Sequence, residues 1–205
     1  KRQVDRLGMS DDTLTFGCED LGPDCADGFD RMIEALMRIL SGSERDVKKG
    51  TVVLIGLSTM HRDWIVVKQE TSRLLGRAGL RVTAAIGADC SVDDIRHAAD
   101  SEVALVISPE HCRRTASFLE SQGVRIVSTG ESPVGFDAVA SMYRRVSDVT
   151  GRNADYAFQM LNMYRRRAFD AIVKSGKDMT GTTYHIDSEG SISVPLGRWL
   201  ESSFG

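Results

Sequence analysis

Several short motifs that mark common enzyme and binding classes are missing from this sequence. No CxxC pair occurs among its four cysteines (Cys18, Cys25, Cys90 and Cys112), which excludes a zinc ribbon and a thioredoxin-type redox motif. No GxGxxG follows a predicted strand and no GxxxxGK[ST] occurs, so the two common nucleotide-binding loops are excluded. The four histidines show no HExxH or other metal-ligand spacing. The functional interpretation therefore depends on the order of segments along the chain.

Charge and hydropathy exclude two further classes of partner. The net charge of −3 offers no excess of Lys and Arg to neutralise a phosphate backbone, so we expect no nucleic-acid partner. No apolar run reaches the roughly 20 residues that a membrane-spanning helix needs, and residues 1–5 lack the apolar stretch of a signal peptide. We therefore expect a cytoplasmic protein without membrane association, whose cysteines are free, half-buried thiols rather than disulfides.

Four apolar segments alternate with helical patterns in the middle of the chain. Segments 51–55, 80–86, 103–107 and 124–127 are rich in β-branched and aliphatic residues, as in strands that are covered on both faces. Apolar residues at helical spacing lie between them. Because the connections are short, this alternation predicts an α/β fold with a parallel, Rossmann-like sheet of about four strands flanked by helices.

The chain divides into four predicted parts. Residues 1–49 are an irregular segment and a helix that packs on the core, and residues 50–135 are the Rossmann-like domain. Residues 136–178 form linking helices, and residues 179–205 open a further α/β domain with a strand at 182–186 and a helix after it. We expect a fragment of a longer subunit that ends inside a domain, unless its last unit docks on the first.

The loops that follow the strands are the expected binding region, because ligands of parallel sheets bind outside the carboxyl ends of the strands. The turn with Gly56, Ser58 and Thr59 is either an anion site at a helix N-terminus or a simple capped turn. His61 and His111 lie at predicted helix starts beside strand ends. They are either site residues or solvated, capping histidines.

A predicted helix follows the third strand. Ser108 suits its N-cap, and the residue after it, a proline, suits the first helical position. Cys112 is expected to face inward from this helix.

Eight stretches, in order along the chain, carry a resemblance to a known family. They are CEDLG (18–22), TVVLIG (51–56), LLGRAGLRV (74–82), CSVDDI (90–95), ALVIS (104–108), PVGFD (133–137), RRRAFDA (165–171) and TGT (180–182). The series resembles the nitrogenase component 1-type oxidoreductases, a family of nitrogenase subunits, their cofactor-assembly scaffolds and the dark-operative tetrapyrrole reductases. It covers nearly the whole chain, although no single stretch is diagnostic.

The resemblance implies that this chain is part of a larger subunit, which works in a complex. Family subunits have three similar α/β domains around a buried metallocluster or tetrapyrrole site, and this chain would be the second domain with the opening of the third. Electrons would come from an ATP-dependent iron–sulfur reductase protein, and the subunit would pair with a homologous or identical subunit. The first domain, with the cysteines of an iron–sulfur cluster, would be missing. The isolated fragment would then be inactive and hold no tightly bound cofactor.

The family's cofactor site is matched here by different residues. The cysteine that ligates the nitrogenase cofactor is matched by Ser108, whose hydroxyl is a poor ligand for iron. Cys112, one helical turn on, is expected to reach the same space, and Cys25 and Phe29 match a glutamine and a histidine beside that cofactor. Cys25 and Cys112 are thus the candidates for a metal ligand, and dinitrogen reduction is not expected.

The residues expected to line a cofactor or substrate cavity share one place, the strand ends. They are Gly56, Ser58, Thr59, Ser108, Cys112, Pro133 and Gly135, with Cys25 as a further candidate and Arg62 or Arg113 as partners of substrate carboxylates. No catalytic step is assigned to any of them. A tetrapyrrole reductase, a non-catalytic metallocluster scaffold or carrier, and a generic small-molecule-binding module stay open as functions.

Overall fold

The computed structural model describes residues 24–42, 45–176 and 181–204. The strands are β1 (Lys48–Ile55), β2 (Arg81–Ala85), β3 (Ser101–Val106) and β4 (Arg125–Val127). The α-helices are α1 (Cys25–Leu40), α2 (Trp64–Arg77), α3 (Val92–Arg96), α4 (Arg113–Ser121), α5 (Phe136–Thr150), α6 (Asp155–Ser175) and α7 (Gly190–Phe204). Two short 3₁₀ helices are Ala98–Asp100 and Pro109–His111. Cys18 and most of the predicted irregular segment lie outside these residues.

The four strands form one sheet in the order β2-β1-β3-β4, and every neighbouring pair is parallel. Val52 of β1 pairs with Val82 of β2 on one side and with Val103 of β3 on the other. The predicted parallel α/β sheet is therefore confirmed. In this order the winding of the chain reverses between β1 and β3, and ligands of open α/β sheets bind outside the strand ends at such a point.

Side chains of the central strands alternate between two buried cores. Val52 and Leu54 face a core that includes residues of α2, α5 and α6, whereas Val53 and Ile55 face α1, α3 and α4. All four are fully buried. Burying one such side chain contributes about 1.5–3 kcal/mol, so packing on both faces fixes where the carboxyl ends of β1 and β3 lie.

The predicted strand at 182–186 is wrong. These residues form no regular element, and most of them are exposed. A strand needs a neighbour to pair its N–H and C=O groups, and within the described residues no strand lies beside this segment. The pattern of Thr182, Thr183 and Tyr184 favours a strand locally, but it finds no partner here.

The helix predicted to start at Pro109 begins four residues later than expected. A 3₁₀ turn covers Pro109–His111, and α4 begins only at Arg113. The Ser108 side chain makes no capping hydrogen bond. Its Oγ lies instead 3.3 Å from Nδ1 of His111 and 3.3 Å from Oγ of Ser191. Contacts outside the helix therefore replace the expected cap.

The last helix, α7, is confirmed and lies against the carboxyl edge of the sheet. The N–H of Ser191 donates to Oε1 of Glu110 at 2.8 Å, and the N–H of Ser132 donates to the carbonyl of Ser191 at 3.0 Å. Gly135 has φ +82°, and a Cβ there would lie 2.3 Å from the Trp199 ring. The end of the chain thus docks on the first α/β unit. The division of the chain into four parts stays a prediction.

Among the helices of the described residues, none is long and apolar enough to cross a bilayer.

Candidate functional site

A cavity of about 560 Å³ opens at the carboxyl ends of β1 and β3, where the winding of the sheet reverses. Its volume falls in the range of about 300–1,000 Å³ typical of small-molecule sites. The apolar part of its wall consists of Leu57, Met60, Val67, Ile107, Pro133, Val134 and Ile192. Polar groups, including His61, Arg62, Ser108 and Glu189, complete the wall.

Three polar side chains from distant parts of the chain meet here, two of them in the cavity wall and the third, His111, behind it. His61 follows β1, His111 ends the 3₁₀ turn after β3, and Glu189 immediately precedes α7. Nε2 of His61 lies 3.4 Å from Oε2 of Glu189, and Nε2 of His111 lies 3.3 Å from Oε1 of the same carboxylate. The two imidazole rings stand edge to face, with 4.7 Å between their centroids.

The backbone fixes the tautomer of His61. The N–H of Ser58 donates to Nδ1 of His61 at 3.1 Å, so this nitrogen carries no proton. The proton of the neutral ring then sits on Nε2 and faces Glu189. The hydrogen bond from the Ser58 N–H to Nδ1 joins two neutral groups and contributes about 1 kcal/mol, which is enough to orient the ring but small beside a metal–ligand bond.

His111 is buried and neutral. Only 2% of it is exposed, its Nδ1 faces Oγ of Ser108, and the Phe29 ring packs edge-on against it. Burial lowers the pKa of the His111 imidazole, because desolvation disfavours the charged form, while the Glu189 carboxylate acts in the opposite direction. Near pH 7 the ring is therefore uncharged, the form in which imidazole binds a metal.

Three buried serine hydroxyls support this cluster. Oγ of Ser191 lies 3.3 Å from Oγ of Ser108 and 3.3 Å from Oγ of Ser132. These contacts join the loops after β3 and β4 to the first turn of α7. Because Ser108 also faces His111, they connect the orientation of that ring to the docking of α7.

Cys112 does not reach the cavity. Its Sγ donates to the carbonyl of Ser108 at 3.3 Å, and only 1% of the residue is exposed. Gly56 packs against both residues and has φ +78°. A Cβ at this position would be 2.3 Å from the Ser108 carbonyl oxygen and 2.8 Å from Cys112 Sγ. Burial also raises the pKa of the Cys112 thiol. The described residues of this cavity therefore do not fit a thiolate-held iron–sulfur cluster.

The other predicted residues are spread over several places. Ser108 and Pro133 line the cavity, whereas Ser58 supports His61 from behind. Thr59 is exposed on the turn. The Ser58 amide is occupied by His61, so this turn favours the interpretation without a bound anion.

Cys25 and Arg113 line a separate, open groove beside the cavity. The Cys25 thiol donates to Sδ of Met60 at 3.6 Å. Arg62 lines the cavity, as predicted. Gly135 does not line it, because it packs against the Trp199 ring. The predicted set is thus divided between the cavity, the groove and the core, and its functional assignments stay predictions.

Glu189 is the residue that the sequence analysis missed. It lies in a short polar segment, Asp187-Ser188-Glu189-Gly190, of the kind that precedes many helices. The N–H groups of Ile192 and Ser193 donate to its carbonyl, as expected at a helix start. Nothing local marks its side chain, because only the docking of α7 brings it to the two histidines.

Comparisons with known proteins point to one family. The family model described as "Nitrogenase component 1 type Oxidoreductase" matches residues 10–205. A solved structure described as "Nitrogenase Cp1 at pH 6.5" is similar over 87% of this chain and 41% of its own, with a TM-score of 0.66 and 16% identity. Another, "Nitrogenase Cp1 at pH 5", is similar over 68% of this chain and 28% of its own, with a TM-score of 0.55 and 18% identity. A search among curated proteins gives no match.

The sequence identity to both solved structures is below 25%, so these similarities show the fold alone. The chain spans less than half the length of either solved structure.

Proposed function

The chain belongs to the nitrogenase component 1 type oxidoreductase family, and on that premise we propose that it is part of a subunit that reduces a tetrapyrrole. Electrons would come from an ATP-dependent iron–sulfur reductase partner, in a cytoplasmic complex with a homologous or identical subunit. The observation that carries this proposal is the cavity at the carboxyl ends of β1 and β3. Its apolar wall and the guanidinium of Arg62 suit a flat ligand that bears carboxylates.

The apolar wall favours a ligand with large, flat apolar faces. Side chains from loops and helices contribute to it, among them Ile107 after β3, Pro133 after β4 and Ile192 in α7. Each 100 Å² of apolar ligand surface covered by such a wall contributes roughly 2.5 kcal/mol before the cost of association. A conjugated macrocycle offers this kind of surface on both of its faces.

Arg62 supplies the matching charge. It lines the cavity, and within the described part of the chain its guanidinium has no carboxylate partner. Guanidinium groups bind carboxylates through two parallel hydrogen bonds, which fixes the orientation of a ligand as well as its position. Arg62 is therefore the residue expected to pair with a peripheral carboxylate of the substrate.

Ser108 argues against dinitrogen reduction. Its buried hydroxyl stands where the resemblance places the cluster-ligating cysteine, and it already contacts His111 and Ser191. A hydroxyl in that position gives no soft ligand to iron. This chain is therefore assigned substrate binding and orientation, while the redox chemistry depends on groups elsewhere in the complex.

A binding titration tests the first half of this proposal. Coproporphyrin III, a tetrapyrrole with four carboxylates, is added to the chain and its visible absorption bands are followed. We expect one saturable site, which Val134→Trp weakens at least tenfold by filling the cavity, and which Arg62→Ala weakens by a smaller factor. Val173→Trp makes the same change on an exposed face of α6 and should leave binding unchanged. Equal binding by the two tryptophan variants would contradict the proposal.

Electron transfer needs the complete subunit with its reductase. In an anaerobic mixture with ATP, we expect the bound tetrapyrrole to lose its visible bands, and Val134→Trp to slow that loss. Binding without any ATP-dependent bleaching would favour a carrier or a simple binding module over a reductase.

A further inference from the structure

We propose that His61, His111 and Glu189 form a binding site for one divalent transition-metal ion of the Zn²⁺, Co²⁺ or Ni²⁺ class. The site would hold the ion through Nε2 of each histidine and one carboxylate oxygen. This inference is independent of the proposed tetrapyrrole chemistry, because it concerns what the apo chain itself binds.

The spacing of the three groups is close to that of ligands around a metal ion. The ligand atoms all lie within 4.8 Å of one another, and each imidazole Nε2 lies close to a different oxygen of the Glu189 carboxylate, His61 3.4 Å from Oε2 and His111 3.3 Å from Oε1. A hydrogen bond to a carboxylate is shorter, about 2.7–2.9 Å when the donor is charged. A tetrahedral ion with bonds of about 2.0–2.1 Å holds its ligand atoms about 3.3 Å apart.

The donor set selects the class of metal. Two imidazole nitrogens and one carboxylate oxygen suit borderline ions such as Zn²⁺, Co²⁺ and Ni²⁺, whereas Ca²⁺ and Mg²⁺ prefer oxygen alone. His111 is buried among Phe29, His61 and Ser108, so little water competes for its nitrogen. The Ser108 hydroxyl contacts its other ring nitrogen and fixes the ring, as outer groups do in many metal sites.

The surrounding charges favour a cation. The carboxylates of Asp30 and Glu110 act on His111 from α1 and from the 3₁₀ turn, and Asp63 lines the cavity beside His61. Asp30 accepts from the N–H groups of Arg114 and Thr115, so it stays in place. The guanidinium of Arg62 also lines the cavity, but the carboxylates of Asp30, Asp63, Glu110 and Glu189 outnumber it around a dipositive ion.

The ion would keep an open coordination position. His61 and Glu189 both line the cavity, whereas His111 lies behind them. Three protein ligands leave at least one position of a tetrahedral ion free, as in catalytic rather than structural sites. That position would face the cavity and accept water or a ligand atom.

Metal binding has a specific consequence for the backbone. An ion on Nε2 of His61 moves the ring proton to Nδ1, which now accepts a hydrogen bond from the Ser58 N–H. Two N–H groups cannot share that contact, so the Ser58 amide must lose its partner when the metal binds. The amide resonance of Ser58 therefore reports on occupation of this site and distinguishes it from binding elsewhere.

The test is a titration of the metal-free chain with Co²⁺ and with Zn²⁺. Visible absorption of Co²⁺ reports the coordination, calorimetry with Zn²⁺ gives affinity and stoichiometry, and nuclear magnetic resonance follows Ser58. Glu189→Gln and His61→Gln keep the size of the side chains while removing a ligand. His97→Gln is the matched control, since His97 is a surface histidine with the carboxylates of Asp93 and Asp100 beside it.

We expect one ion per chain, a shifted Ser58 amide, and at least tenfold weaker binding in Glu189→Gln and in His61→Gln. His97→Gln should bind within twofold of the unchanged chain. Circular dichroism of each variant shows whether it folds, and His111→Ala is avoided because that buried position risks misfolding. No binding, equal affinity in Glu189→Gln, or an unmoved Ser58 amide would overturn the site and leave the cluster as a hydrogen-bonded network only.

Discussion

Nε2 of His61 lies 3.4 Å from Oε2 of Glu189, although 128 residues separate them along the chain. This contact joins the loop after β1 to the segment that precedes α7. The site at the sheet edge is therefore complete only when the last helix is docked. Residues that hold the loops in place should then affect both stability and binding.

The close packing behind the cavity depends on Gly56. Gly56→Ala places a Cβ 2.3 Å from the Ser108 carbonyl, in a backbone conformation with φ +78° that favours glycine. We expect the free energy of unfolding to fall by about 2–4 kcal/mol, measured by urea denaturation. Gly76→Ala is the control. Gly76 lies in α2 with nothing within 4 Å of an added Cβ, so alanine there should stabilise by about 0.5–1 kcal/mol.

Cys112 is predicted to be chemically silent in the folded chain. Its thiol is buried with a raised pKa, and the thiolate is the form that reacts with alkylating reagents. With iodoacetamide at pH 8, mass spectrometry should find Cys25 modified rapidly and Cys112 modified only after unfolding in urea. Comparable rates at both cysteines in the native chain would contradict the burial of Cys112 and show that its thiol is accessible from the cavity.

Much of the fold follows from local patterns. The segments 51–55 and 103–107 are apolar on both faces, which favours strands in the middle of a sheet. His61 and His111 could be identified as site candidates because the chain places them just after β1 and β3, whose ends share one edge. These inferences need only the order of elements along the chain.

The rest depends on tertiary contacts that no local pattern records. Glu189 reaches the histidines because Ser191 docks against Glu110 and Ser132. Cys112 was expected in the cavity, but the 3₁₀ turn over Pro109–His111 changes the direction in which α4 begins, and the thiol turns into the core. The pattern over 182–186 favours a strand, yet it requires a neighbour that is not beside it.

Asp30 links α1 to the start of α4, and its loss should be costly. Its carboxylate is 2% exposed and accepts three hydrogen bonds, from the N–H of Arg114 and from the N–H and hydroxyl of Thr115. Asp30→Ala leaves these donors unpaired, and we expect a loss of about 2–4 kcal/mol in the free energy of unfolding. Asp148→Ala on the exposed face of α5 should change it by less than about 0.5 kcal/mol. A similar small change at Asp30 would show that the carboxylate does not cap α4.

The capping box of α3 should make stability depend on pH. Hydrogen bonds from the backbone and side chain of Ser91 hold the pKa of Asp94 below its ordinary value of 3.8. A lowered pKa in the folded state stabilises the fold above pH 3.8, and this contribution is lost as the pH falls through the folded-state value. Asp94→Ala should therefore cost about 1 kcal/mol at pH 7 and progressively less in acid. The control is Asp93→Ala, which removes an exposed pair with Arg96. A cost for Asp94→Ala that stays constant down to pH 2 would contradict this assignment.

Chemical protection tests the location of the binding site most directly. Val134→Cys places a thiol in the wall of the cavity, and Val173→Cys places one on the exposed face of α6. The rate of alkylation at each new cysteine is measured by mass spectrometry with and without saturating coproporphyrin III. We predict that the tetrapyrrole slows alkylation at position 134 at least tenfold and leaves position 173 unchanged. Unprotected alkylation at position 134 while the tetrapyrrole is bound would contradict the assignment of this cavity.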